Sequence, residues 1–248
     1  EYAASQGYST GLIAACKMTH ATPAAFVAHV ESRSQYEDIA NYFVTDSLDL
    51  FLGGGADNFY NRTDSINLGV ALEEKGFQLL RELKELEMVK EGKVAGLFAN
   101  DHLEAYPARG EFLVQSTSKA IDLLSQNEKG FFLLVEGSQI DWAGHDNDLS
   151  YLVEEMLDFD RAVGVALKFA EENKNTLVII TGDHETGGFS LNNGSPKEGL
   201  VEGKFTTTGH TAVGVPVYTY GPGAEKFMGF YENTAIFEKM MNAFGISH

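Results

Sequence analysis

Three stretches of this chain concentrate side chains that bind cations, and a fourth offers a grip for anions. In VEGSQIDWAGHDND, Glu136, Asp141 and His145 follow the end of an apolar run, with Gly137 and Gly144 easing a backbone turn. Asp141 and His145 are four apart, which converges an oxygen and an imidazole nitrogen on one cation if the turn is helical. The other reading of this segment is a solvated acidic loop with a capping Asp. In TGDHETGGF, Asp183 and His184 are adjacent. Neighbouring side chains of a straight strand point to opposite faces, so both serve one site only where the chain bends. Gly182, Gly187 and Gly188 make such a bend easy, although an Asp-His pair by itself equally suits an ordinary turn. In TTTGHTAVGVPVYTYGPGA, His210 sits in a Gly- and Thr-rich loop. Taken together, Asp141, His145, Asp183, His184 and His210 form a nitrogen and carboxylate set suited to zinc, and Glu136 adds a harder oxygen donor suited to magnesium.

The fourth stretch, THATPAAFVAHVESR, lies near the amino end. Thr22 precedes Pro23, where its hydroxyl can cap a helix. Arg33 offers a planar fork for gripping phosphate or carboxylate near metals; the alternative is a solvated surface arginine.

These segments need a scaffold, and the apolar pattern supplies one. Short apolar runs at Thr10–Cys16, Leu48–Leu52, Val94–Phe98, Phe131–Val135, Leu177–Thr181 and Val215–Tyr220 read as strands. Helical patterns fall between them at Pro23–Val30, Tyr36–Phe43, Gly69–Lys90, Gly110–Asn127, Leu149–Glu172 and Thr234–Phe244. This alternation predicts an α/β fold, a largely parallel sheet with helices on both faces. Ligands in such sheets bind beyond the carboxyl ends of the strands, where the cation-binding segments recur. The polar stretch Asn192–Gly203 reads as a surface loop or small hairpin.

Composition narrows the function. The 248 residues allow one large α/β domain or two small ones. Eighteen Lys plus Arg against 36 Asp plus Glu give a net charge of −18, which argues against nucleic acid and anionic membranes as partners. No apolar run is long enough to span a bilayer. The lone cysteine, Cys16, cannot form an internal disulfide and reads as a buried, inert thiol.

In this order, THATPAAFVAHVESR, LFLGGG, VEGSQIDWAGHDND, TGDHETGGF and GHTAVGVPVYTYGPGA resemble alkaline phosphatase along nearly the whole chain. The resemblance implies a three-layer α/β/α fold, two Zn2+ and one Mg2+, and phosphate monoester substrates with inorganic phosphate as product. It also implies a homodimer and a periplasmic or extracellular location. Carried over by position, Asp141, His145 and His210 are ligands of the first zinc, Asp183 and His184 of the second, and Glu136 and Thr22 of magnesium; Arg33 clamps the phosphate. His20 stands where family members have Asp or His, and an imidazole there disfavours hydrated magnesium and can admit zinc, which leaves the third metal open between the two. Trp142 stands where others carry Lys or His, and a neutral indole should weaken the hold on product phosphate.

The family's nucleophilic serine and one metal-bridging aspartate have no counterpart in these residues. Residues 1–248 are therefore expected to be the carboxyl-terminal part of a larger alkaline phosphatase domain, incomplete at the amino-terminal side of its sheet and inactive alone. The competing readings are another two-metal enzyme, such as a sulfatase, phosphodiesterase or phosphoglycerate mutase, and a non-catalytic metal- or phosphate-binding module.

Overall fold

The computed structural model describes residues 1–45 and 47–246. The chain divides into two compact units, Glu1–Ser138 and Gln139–His248, and each is described by itself.

The first unit is built on five strands: β1 (Ser9–Lys17), β2 (Leu50–Gly54), β3 (Phe77–Leu80), β4 (Lys93–Leu97) and β5 (Phe131–Glu136). They lie in the order β3-β4-β2-β1-β5, every pair parallel. Every residue from Thr10 to Cys16 and all of β2 are buried. Successive strand side chains point to opposite faces, so both faces of this sheet are covered, the middle layer of an α/β/α stack. Helices α1 (Tyr2–Ser5), α2 (Ala21–Ala25), α3 (Tyr36–Asn41), α4 (Ala56–Tyr60), α5 (Leu68–Glu74) and α6 (Phe112–Leu124) surround it. At its centre Phe43, Phe51 and Phe59 pack with ring centroids 5.1 to 5.8 Å apart, all fully buried. Truncating such a ring to Ala costs about 3–5 kcal/mol. The chain steps from β1 to β2 on one side and returns through α6 to β5 on the other. The strand order therefore reverses at β1, where α/β folds place ligands.

Two elements differ from the sequence reading. The helix expected over Gly69–Lys90 is broken: α5 stops at Glu74, Gly76 turns with φ 84°, and Phe77–Leu80 pairs with β4 as an edge strand. A 3-10 turn over Leu83–Met88 completes the stretch. Parallel pairing satisfied the backbone of FQLL better than helix continuation past a left-handed glycine. Helix α2 is shorter than expected, and its N-cap is His20. Thr22 is therefore inside the first turn and is not the cap.

The second unit contains α7 (Gln139–Asp146) and α8 (Leu149–Asn173), joined by a tight turn in which the Asp148 side chain accepts the Tyr151 N–H at 3.1 Å. Its strands pair antiparallel: β6 (Val178–Thr181) with β11 (Val217–Tyr220), β7 (Glu185–Thr186) with β10 (His210–Thr211), and β8 (Ser190–Ser195) with β9 (Leu200–Lys204). The last pair is the hairpin anticipated around Asn192–Gly203. Helix α9 (Ala235–Phe244) ends on Gly245 at φ 67°.

One charge cluster fastens the first unit. The buried Arg62 guanidinium donates to both Asp64 oxygens, at 3.0 and 2.6 Å, and to the Glu37 carbonyl at 2.7 Å. The hydrogen bond from Arg62 holds the Asp64 carboxyl below its ordinary range; backbone and hydroxyl bonds from Thr63 do the same for Glu37. Depressed carboxylate pKa values stabilise the fold above the unfolded value near pH 4, and that gain disappears as pH falls through the folded value. Asp64→Asn should therefore lower the urea midpoint at pH 7, with the gap from wild type closing below about pH 4. Urea titrations of both proteins across pH 3 to 7 measure this, and a pH-independent gap contradicts the assignment.

Candidate metal centre

Helix α7 realises the four-residue spacing of Asp141 and His145. The chain then reaches the same place twice more, once after β6 and once at β10. His145 Nε2 lies 3.5 Å from Asp141 Oδ1, His210 Nε2 lies 3.4 Å from the same oxygen, and the two imidazole nitrogens are 3.2 Å apart. Nitrogen and oxygen ligands about 2.0–2.1 Å from a tetrahedral zinc are roughly 3.3 Å from one another, so this triangle has the dimensions of one face of such a site. His184 stacks on His210 at 3.6 Å, and Asp141, His184 and His210 each offer a ligand atom within 4.8 Å of the others. Asp183 Oδ2 lies 3.2 Å from His184 Nε2, so the chain does bend where the sequence required it.

The surrounding hydrogen bonds decide which nitrogens carry protons. His145 Nδ1 is 2.6 Å from the Thr208 carbonyl oxygen, which can only accept. The proton therefore sits on Nδ1, and Nε2 presents a lone pair to the centre. The Thr186 hydroxyl donates its one proton to Asp141 Oδ1 and lies 3.2 Å from His184 Nδ1. Its oxygen then accepts from His184 Nδ1–H, which again leaves Nε2 free to bind a cation. The donor set thus fits zinc in atom type and spacing, and the His145 and His184 tautomers suit it.

Close backbone approach makes this possible. A Cβ at Gly144 would stand 2.8 Å from the Thr186 carbonyl, and one at Gly187 would stand 2.7 Å from the Gly144 carbonyl. Glu185 fastens the return strand by accepting from the N–H groups of Gly188 (3.1 Å) and Phe189 (2.9 Å) and from the Thr211 hydroxyl. Burial would raise the Glu185 pKa, but these hydrogen bonds outweigh it and hold the carboxyl below its ordinary range. Sequence reasoning passed over Thr186 and Glu185. The available signal was that Thr186 stands two residues after His184, on the same side of an extended chain.

Trp142 lies on α7, half-buried, beside Asp141. In the first unit, Glu136 ends β5 opposite Ala14 of β1; its Oε2 accepts from Ser138 Oγ at 2.6 Å and lies 3.6 Å from Cys16 Sγ. Cys16 is buried, and desolvation first, then the Glu136 charge, push its thiol well above the ordinary range, as an inert cysteine requires. His20 and Thr22 follow the end of β1, and exposed Arg33 donates from Nη2 to His20 Nε2 at 3.3 Å.

The class these features define is an α/β protein with a carboxylate and imidazole centre fit for divalent cations. The chain belongs to the alkaline phosphatase family, whose sequence profile matches residues 1–204 and 200–246. Alkaline phosphatase 4 of Bacillus subtilis is 36% identical over 94% of this chain and 67% of its own length. Streptomycin-6-phosphate phosphatase of Streptomyces griseus is 31% identical over 99% of this chain and 71% of its own. The structure of alkaline phosphatase from the Antarctic bacterium TAB5 superposes with a TM-score of 0.93 at 40% identity, covering all of this chain and 75% of that one. The chain thus spans about two thirds to three quarters of the length of these relatives. Family membership supports phosphate monoester hydrolysis as the reaction class.

Because Thr186 sets the His184 tautomer and braces Asp141, Thr186→Val should weaken Zn2+ binding on the order of 10- to 100-fold. Competition against a chromophoric chelator measures this; affinity equal to wild type would remove Thr186 from the centre.

Proposed function

We propose that this chain carries the metal-binding and phosphate-gripping residues of an enzyme that hydrolyses phosphate monoesters through a phosphoserine. The observation that supports it best is the triangle of Asp141, His145 and His210 atoms at zinc-ligand spacing. Asp141, His145 and His210 hold one Zn2+, and Asp183 and His184 hold a second. Glu136 and Thr22 are ligands of Mg2+. When bound, the ions supply Lewis-acid stabilisation of the phosphoryl oxygens and lower the pKa of the attacking hydroxyl.

The rest of the chemistry belongs to side chains. Arg33 grips two phosphate oxygens through its planar fork, which orients the phosphorus for in-line attack. The phosphoryl group passes to a serine supplied from outside residues 1–248, with departure of the alcohol, and then to water, which regenerates the serine and releases inorganic phosphate. Trp142 adds bulk without charge beside Asp141, so product phosphate is held less firmly than it would be by a cation there. His20 Nε2 is engaged by Arg33, which leaves the magnesium site to oxygen donors. Both units belong to one alkaline phosphatase domain, and the whole protein works as a homodimer in the periplasm or outside the cell. Nucleic acid is not a partner. Among the described residues, no helix is long and apolar enough to cross a membrane.

The whole protein should hydrolyse an aryl phosphate in preference to the matching sulfate or diester, whereas the 248-residue polypeptide should bind zinc with little turnover. A preference for sulfate or diester would assign the chain to a different two-metal chemistry. His210→Ala should strip zinc, measured by elemental analysis, and abolish hydrolysis. Arg33→Ala should keep its zinc and lose about 10²- to 10³-fold in kcat/KM.

A further inference from the structure

The glycine run Gly53–Gly55 does structural work that the metal centre leaves unexplained. A Cβ at Gly54 would stand 2.2 Å from the Asp101 carbonyl oxygen, and one at Gly53 would stand 2.9 Å from the carbonyls of Ala14 and Cys16. Gly55, at φ 92°, donates its N–H toward the carbonyls of Ala99 and Asp101 at 3.0 and 2.6 Å. The loop after β4 is thereby drawn against the exit of β1, where no side chain could intervene.

That loop delivers two residues. Asp101 Oδ1 pairs with Lys17 Nζ at 3.0 Å, and His102 Nδ1 accepts the Lys17 backbone N–H at 3.2 Å. An accepting nitrogen carries no proton, so the His102 proton is on Nε2. Burial first of all keeps this imidazole below the ordinary histidine range, with Asp101 opposing and Lys17 assisting. The His102 ring meets His20 edge to face, with centroids 5.4 Å apart and planes at 80°. His20 Nε2 accepts from Arg33 Nη2, since a guanidinium can only donate.

We propose that His102 is a positioning residue for phosphate recognition: anchored through Lys17, its ring fixes the imidazole of His20, which holds one arm of the Arg33 fork. The proposal rests on the reading of Arg33 as the phosphate clamp. Arg33 is exposed on a long, rotamer-rich side chain, and tethering one of its nitrogens before the ligand arrives reduces the ordering that binding must impose. The second guanidinium edge remains for phosphate oxygens.

The test uses the zinc- and magnesium-loaded whole protein and the inhibition constant of inorganic phosphate. His102→Ala should raise that constant on the order of tenfold, as losing a partner that orients a ligand does. In an Arg33→Ala background the same change should matter less than about twofold, because the two residues act in series. His102→Asn retains an acceptor for the Lys17 N–H, so it should recover the thermal midpoint while leaving phosphate weakly bound. Zinc content should stay at the wild-type level in every variant. In 15N spectra of histidine-labelled protein, His20 Nε2 should be unprotonated, with a signal that shifts in His102→Asn. Equal losses with and without Arg33, an unchanged constant in His102→Ala, or full recovery of phosphate affinity in His102→Asn would each overturn the role of His102. A wild-type protein indifferent to inorganic phosphate would overturn the clamp reading itself.

Discussion

Three ligand-type atoms crowded into one small triangle are the constraint on which the second unit is organised. Asp141 Oδ1, His145 Nε2 and His210 Nε2 lie 3.2 to 3.5 Å apart. The His145 ring proton is held away from this triangle by the Thr208 carbonyl, and that of the neighbouring His184 by the Thr186 hydroxyl. Such convergence is unfavourable without a cation, so the surrounding structure must impose it. The glycine contacts between α7 and β7, and the Glu185 carboxylate that ties β7 to Thr211 of β10, are what impose it.

The first unit solves a related problem with the same means. Its parallel sheet is buried on both faces, so polar side chains can act only where strands end. At the exits of β1 and β5, Glu136 is oriented by Ser138, and His20 faces both Arg33 and His102. Glycines at the end of β2 admit the loop from β4 to this edge. In both units small residues mark close backbone approach, and the side chains brought in behind them set proton positions on histidines. A carbonyl or hydroxyl beside an imidazole is therefore as much a part of the chemistry as the imidazole itself.

The segments of chemistry were legible because their residue types are costly to place without a purpose and recur at strand ends. Asp141 and His145 fell on one helix face as their spacing required, and all six strands read from apolar runs overlap observed strands, four in the parallel sheet and two in the antiparallel pair of β6 and β11. The failure over Gly69–Lys90 has a physical cause. Phe77–Leu80 has no local pattern that outweighs the helical periodicity around it, and its strand character comes from a partner, Lys93–Gly96, in another part of the chain. Thr186, Glu185 and His102 escaped notice for the same kind of reason, since their roles are defined by atoms 26 to 85 residues away.

The sequence by itself determined the donor inventory, the net charge, and the alternation that demands an α/β sheet, because residue type and period are local properties. Tertiary structure alone decided which donors meet. The pairing of His210 with Thr186 across β10 and β7 is a nonlocal register, and a shift of one residue would turn His210 to the opposite side. Tautomers were decided there too, since a proton's place on an imidazole depends on which oxygen the fold sets beside it.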